Sequence, residues 1–337
     1  MSIVAGSYER FIWGFKLKTL KHSTESLTLS PLFTFPSHTS PIKSVAVSGT
    51  VAVSGGSDDT IKIYDLTTST EIGSLTDPTS TVTTLCLYTP QTSPAFPRNL
   101  FSGFDDGNVS FYDADPFVLL KSVKVHKKGV NDLCVHPSGK LALTVGRDSC
   151  LGMVNLVRGR RSFFCRMEKE GNLVEYDCIG GEKFFMGMDE KVSVHESENA
   201  KLIVELPTKK KVLCIAPGMN GLLYTGGEDR NLTAWDTDSG KVAYSIEDAH
   251  SARLKGIVVL SKIEGTDEGE PFLVASASSD GIIRVWDVRM ATKDKPTPLA
   301  EVNTKSRLTC LAGSSVKSLK KRFGGSGNSS KEQDEAA

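Results

Sequence analysis

One short pattern recurs along this chain and leaves few folds open to it. The segments SGGSDDTIKIYD (54–65), SGFDDGNVSFYD (102–113), TVGRDSCLGMVN (144–155), TGGEDRNLTAWD (225–236) and SASSDGIIRVWD (276–287) align without gaps. Each begins with Ser or Thr and carries Asp four residues on, at Asp58, Asp106, Asp148, Asp229 and Asp280. A weaker copy, FMGMDEKVSVHE (185–196), places Asp189 in the same slot. Successive aspartates lie 48, 42, 41, 40 and 51 residues apart. A unit of that length cannot bury its apolar face alone, so the repeats must stack against one another. Short runs of Val, Ile, Leu, Thr and Phe lie between Gly-rich turns, with no helical period of 3.6, which predicts an all-β repeat.

The repeat resembles the WD40 unit, which has four strands to a blade, and this implies a β-propeller. In such a blade the Asp occupies the turn between the second and third strands, where its carboxylate accepts bonds from turn amides. The resemblance implies that a His ahead of the first strand completes a buried network with the Ser or Thr, the Asp and an aromatic residue. His250, Ser276, Asp280 and Trp286 supply the whole set. His38, Ser54, Asp58 and Tyr64 supply it with Tyr for Trp, and His126, Thr144 and Asp148 supply three members, with Val154 in the aromatic slot. Ser102, Asp106 and Tyr112, then Thr225, Asp229 and Trp235, carry it without the His, and Asp189 stands alone. Recurrence of the His–Ser–Asp triple marks a repeat-building device rather than a hydrolase, and no G-x-S-x-G elbow occurs.

Six aspartates predict six blades, and the chain ends predict a seventh. AGSYERFIWGFKL (5–17) reads as two strands, with Glu9 in the Asp slot and Phe15 in the aromatic slot. SPLFTF (30–35) is the expected outer strand and SRLTCLA (306–312) the expected inner one. The expected domains are a propeller over 1–313, with 1–36 and 303–313 sharing the closing blade, and a disordered tail over 314–337, basic then acidic. Cys86, Cys134, Cys214 and Cys310 align in one register of the inner strands, which predicts core packing. Seven cysteines without a CxxC pair argue against a disulfide framework or a zinc site, so no metal or cofactor is expected. Blade 4 (about 167–206), with Phe185 and His195 in place of the polar and aromatic members, is expected to be the least stable.

The stretches VAGSYERFIWGF (4–15), HKKGVNDLCVHPSGKLALTVGRD (126–148), MVNLVRGRRSFF (153–164), VASASSDGIIRVWD (274–287) and VNTKSRLTCL (302–311) resemble the p21-activated-kinase-interacting-protein-1-like family. That resemblance implies a non-catalytic scaffold in nucleolar assembly of the large (60S) ribosomal subunit and pre-rRNA processing. It also implies an alternative, an adaptor that binds and negatively regulates a p21-activated kinase. The expected location is the nucleolus. The expected partners are pre-60S assembly proteins, the rRNA backbone or such a kinase, with no membrane, the protein being a monomer within a larger assembly.

Lys+Arg and Asp+Glu are equal at 40 each, which excludes an indiscriminate polycation but not segregated charge. The loops entering blades 3, 5, 6 and 7 hold Lys127, Lys128, Lys209, Lys210, Lys211, Arg253, Lys255, Lys305 and Arg307 and no acid. They read either as a solvated rim or as a surface for an acidic partner, rRNA phosphate or protein. No aromatic residue interleaves them, so backbone contact rather than base stacking is expected. VRGRRS (157–162) reads as a second basic turn on the opposite rim and EGTDEGEP (264–271) as a flexible acidic insertion. Lys317, Lys320, Lys321 and Arg322 form a candidate nuclear-localisation patch in the tail.

Overall fold

The computed structural model describes residues 1–19, 27–76, 80–90, 96–178, 180–260, 273–290 and 296–314. The acidic insertion and the tail beyond Ser314 lie outside the described residues.

Seven antiparallel four-stranded sheets form the blades of a propeller. Blades 1 to 6 begin at the innermost strands Ile42–Ser48, Val82–Tyr88, Val130–Val135, Leu173–Tyr176, Val212–Pro217 and Leu254–Leu260. The innermost strand of each blade packs beside that of the next, and the ring closes on Leu308–Ser314 of blade 7. Second strands are sandwiched between neighbouring blades on both faces. Val51–Gly56 and Leu273–Ser278 are therefore buried at every residue, and their sequences read as apolar or small runs without polar alternation. Fourth strands form the perimeter, and Phe117–Lys124 is accordingly almost wholly exposed.

Blade 7 joins the two ends of the chain. Ser2–Ser7 pairs with Leu308–Ser314 on one side and Ile12–Thr19 on the other, and Leu27–Phe35 completes the sheet. The inner strand begins two residues later than expected. Arg307 is diverted to the neighbouring turn, where its carbonyl accepts from Tyr8 N–H and its own N–H donates to Glu9 Oε2 at 2.8 Å. Glu9 thus occupies the Asp slot, and Phe15, 3% exposed, is buried in the aromatic slot.

The cysteines do not share one register. Cys86 and Cys134 stand four residues into their strands, opposite Phe101 and Leu143; Cys214 and Cys310 stand two residues in, opposite Gly226 and Gly6. The parity is the same, so all four lie on one face of their strands, a rung apart. Burial pushes the Cys86 thiol up to about 12 and Cys310 to about 11, which leaves them protonated packing groups. No cluster of His, Cys, Asp and Glu suited to a metal occurs among the described residues.

Blade 4 has its four strands but builds its polar contacts locally. His195 stacks on Phe184 at 4.9 Å, and its Nε2 lies 2.9 Å from Ser193 Oγ. Among the described residues no hydrogen bond ties this pair to the loop ahead of the blade, unlike the histidines of blades 1, 3 and 6. Two measurements check these constraints. Leu308→Ala, at a fully buried position of the closing strand, should lower stability by about 2–5 kcal/mol in chemical denaturation. Amide exchange should be faster in blade 4 than in blade 6, and equal protection would contradict the role given to the network.

Candidate docking face

Three of the predicted networks assemble, and they pin one face of the disc. In blade 1, His38 Nδ1 lies 3.0 Å from Asp58 Oδ1, Nε2 lies 2.7 Å from Ser54 Oγ, and Ser54 Oγ lies 3.0 Å from Tyr64 OH. In blade 3, His126 meets Asp148 and Thr144 at 2.9 Å each. In blade 6, Trp286 Nε1 donates to Ser276 Oγ at 2.9 Å, and Ser276 lies 2.8 Å from His250 Nε2. An indole N–H can only donate, so Ser276 Oγ accepts from Trp286. His250 Nδ1 faces Asp280 at 3.5 Å, beyond ordinary hydrogen-bond length.

Glycine makes this approach possible. A Cβ on Gly56 would lie 2.9 Å from His38 Nδ1, and one on Gly146 would lie 2.5 Å from His126 Nδ1. The aspartates then hold the entering loops, since Asp58 accepts from Thr39 N–H, Asp148 from Lys127 N–H and Asp280 from Ser251 N–H. Burial raises the pKa of all three, but the facing histidines and these amide bonds outweigh it and leave each below the ordinary carboxylate range.

The remaining predicted members do not form this network. Blade 5 has Thr208 where the histidine would stand; Trp235 still donates to Thr225 Oγ1 at 2.9 Å, but Asp229 accepts from Asn231 N–H in its own turn rather than facing a histidine, and burial raises its pKa. In blade 2, Asp106 is occupied by Asn108, and Ser102 Oγ is buried without a partner among the described residues, so Ser102 is not linked to Asp106 as expected. Asp189 is a turn residue with φ +48°, paired through its carboxylate with Lys211 at 3.5 Å.

Two rings of side chains lie on this face. The first comes from a register shift at the second residue of the innermost strand, which leaves Lys43, Thr83, Asn131, Leu213, Lys255 and Thr309 without a cross-strand partner. Bulges of this kind re-aim side chains. Blade 4 has no such shift. The second comes from the residue after the second strand. Ser57, Asp105, Arg147, Glu228, Ser279 and Tyr8 each donate a backbone N–H to the carbonyl just ahead of an innermost strand.

The nine predicted cations divide. Lys127, Lys128, Lys209, Lys210 and Lys305 are exposed and make no ion pair among the described residues. Lys211 pairs with Asp189, and Arg253 lies 3.9 Å from Glu228. Arg307 lies over the Tyr8 ring at 5.6 Å. Lys255 is half-buried; burial and the nearby Arg253 and Arg307 push its pKa down. The acids that temper the arc come from the second-to-third-strand turns, a different part of each repeat, which loop-by-loop reading of the sequence does not bring alongside. VRGRRS follows the third strand of blade 3, on the opposite face, as expected.

Sequence reading also missed a pair of carboxyl groups. Asp132 accepts from Thr84 Oγ1 of blade 2, from Leu133 N–H of its own strand and from Val174 N–H of blade 4, at 2.9–3.0 Å. It thereby ties three innermost strands together. Burial pushes Asp132 up to about 6; burial and the Asp132 charge push Glu175 up to about 8. Each is a single acid in a short apolar strand, VNDLCV and LVEY, and that isolation was the one signal the sequence offered.

Repeats of the type described as WD domain, G-beta repeat match at residues 29–65, 117–153 and 267–287. A chicken protein, p21-activated protein kinase-interacting protein 1-like, is 33% identical over 93% of this chain and 80% of its own length. Human p21-activated protein kinase-interacting protein 1 is 33% identical over 92% of this chain and 76% of its own. Protein MAK11 of Saccharomyces cerevisiae is 27% identical over 92% and 82%.

The pKa directions give tests of opposite sign. Asp280 is depressed in the fold, so its stabilisation is complete above its unfolded value near pH ~4 and is lost progressively as pH falls from there through the depressed folded value. Asp280→Asn should cost about 1–3 kcal/mol at pH 7, and the gap to the parent should narrow progressively as pH falls below ~4. Glu175 is raised, so its contribution falls as pH rises from ~4 to about 8. Glu175→Gln should therefore gain stability relative to the parent between pH ~5 and pH ~8.5 in thermal melts.

Proposed function

Because this chain belongs to the p21-activated protein kinase-interacting protein 1-like family of WD40 proteins, we propose that it is a non-catalytic scaffold in nucleolar assembly of the large (60S) ribosomal subunit and in pre-rRNA processing. It docks an acidic pre-ribosomal partner, protein or rRNA backbone, through the basic rim loops. The observation that carries this reading is the set of unpaired lysines on loops that the fold holds still. Lys127 and Lys128 follow a buried histidine whose Asp148 partner also holds the Lys127 amide. Thr208 Oγ1 donates to the Lys210 carbonyl and braces the blade-5 loop. Rigid loops lose less entropy when their lysines meet a partner. Neutralising phosphates with such lysines releases counterions, so binding should weaken with salt and show little sequence preference.

The names of the animal relatives carry the second reading, an adaptor for a p21-activated kinase. It predicts a kinase among co-purifying proteins and no defect in subunit levels on depletion.

Lys127, Lys128, Lys209, Lys210 and Lys305, all reversed to Glu, should abolish recovery of pre-60S particles while leaving the melting temperature close to the parent's. Depletion should lower free 60S subunits and raise large-subunit rRNA precursors on gradients and blots. A normal 60S to 40S ratio after depletion would remove the assembly reading.

A further inference from the structure

A cavity of about 410 Å³ opens on the docking face between blades 1, 2 and 3, beside the blade-3 entering loop that carries Lys127 and Lys128. It is made from repeated positions of the fold. Lys43, Thr83 and Asn131 are the bulge residues of three consecutive innermost strands. Ser57, Asp105 and Arg147 are the corresponding residues after three consecutive second strands, and Thr81 and Val130 complete the lining. None of these eight residues belongs to the predicted arc.

We propose that this cavity receives a single anionic side chain of a partner protein, a carboxylate or a phosphorylated hydroxyl. The inference goes beyond the assembly reading and does not depend on it. Arg147 Nη1 is held by Asp105 at 2.6 Å across the blade 2–blade 3 boundary. That contact uses one edge of the guanidinium, pre-orients the rest and leaves donors for a second acidic group. Lys43 is exposed and makes no hydrogen bond or ion pair among the described residues. The hydroxyls of Ser57 and Thr81 add neutral donors on the wall. Two cations against one acid favour a single negative charge between Lys43 and Arg147.

The same lining disfavours a nucleic-acid backbone. Asp105 would repel the flanking phosphates of a polyanion, whereas it leaves room for one charge on an otherwise neutral peptide. The volume exceeds that of a bare phosphate and suits a side chain with part of its backbone. Asn131 is fixed by its amide, which donates to Glu170 Oε1 and the Gly171 carbonyl, so that wall is rigid before a ligand arrives.

Amide-resolved NMR titration of the full chain tests this. The probes are blocked Gly-Gly-Glu-Gly-Gly, its phosphoserine and glutamine counterparts, inorganic phosphate and an oligouridine. The glutamate and phosphoserine peptides should shift the Thr83, Asn131 and Arg147 amides saturably, at least tenfold more tightly than the glutamine peptide. Lys43→Ala with Arg147→Ala should abolish those shifts at an unchanged fold, checked by the rest of the spectrum. Lys209→Glu with Lys210→Glu, on the arc, should leave them intact. The proposal is overturned by equal response to glutamate and glutamine, by shifts confined to inorganic phosphate or oligouridine, or by the double alanine variant titrating like the parent.

Discussion

Everything in this molecule depends on the pairing of Ser2–Ser7 with Leu308–Ser314. An open row of seven blades would leave an apolar flank at each end and an unpaired strand edge, both prone to association. Joining the two ends of the chain in one sheet converts a stack of mutually dependent units into a ring in which every blade has two neighbours. The closing strands are among the most deeply buried, with Ile3, Val4 and Leu308 fully covered. The same closure sets Thr309 and Arg307 beside the first blade's neighbourhood, where Thr309 Oγ1 donates to the Ile42 carbonyl at 2.8 Å.

Ring closure fixes the blades, and polar contacts then fix the face. Each turn after a second strand is tied by a backbone bond to the chain entering an innermost strand. In blades 1, 3 and 6 a buried histidine adds a side-chain clamp, and in blade 7 Glu9 plays the part of the aspartate by reaching a backbone amide. A face held this way presents charges in fixed positions, which is what a docking platform requires. Asp132 performs a related task deeper in the ring, where one carboxylate bonds to groups on three innermost strands. Its raised pKa reflects the burial that goes with that position.

Charge neutrality of the whole chain conceals a division of labour. Acids occupy the turns, where they hold the neighbouring chain or lysines and arginines; the loops entering blades 3, 5 and 7 carry the unpaired lysines. Where the two sets meet, as at Lys211 with Asp189, the cation is largely spent on the protein itself. Where they do not, as at Lys127 and Lys209, it remains available to a partner. Exposed ion pairs of this sort contribute little to stability, so their placement bears on recognition more than on folding.

The sequence by itself determined the repeat, the seven blades, the participation of both chain ends in one sheet and the residues of the three networks that contain a histidine. These are local or periodic features: an Asp four residues after a Ser, a His ahead of an apolar run, an aromatic ten residues on. The start of the closing strand, the cysteine register and the bulges were decided by tertiary structure. Each depends on which backbone groups a neighbouring turn claims, as Tyr8 and Glu9 claim Arg307. The candidate cavity belongs wholly to this second class. Lys43 and Arg147 are 104 positions apart in the chain; a bulge in blade 1 and a turn in blade 3 bring them to one cavity, because a ring places equivalent positions of successive repeats side by side.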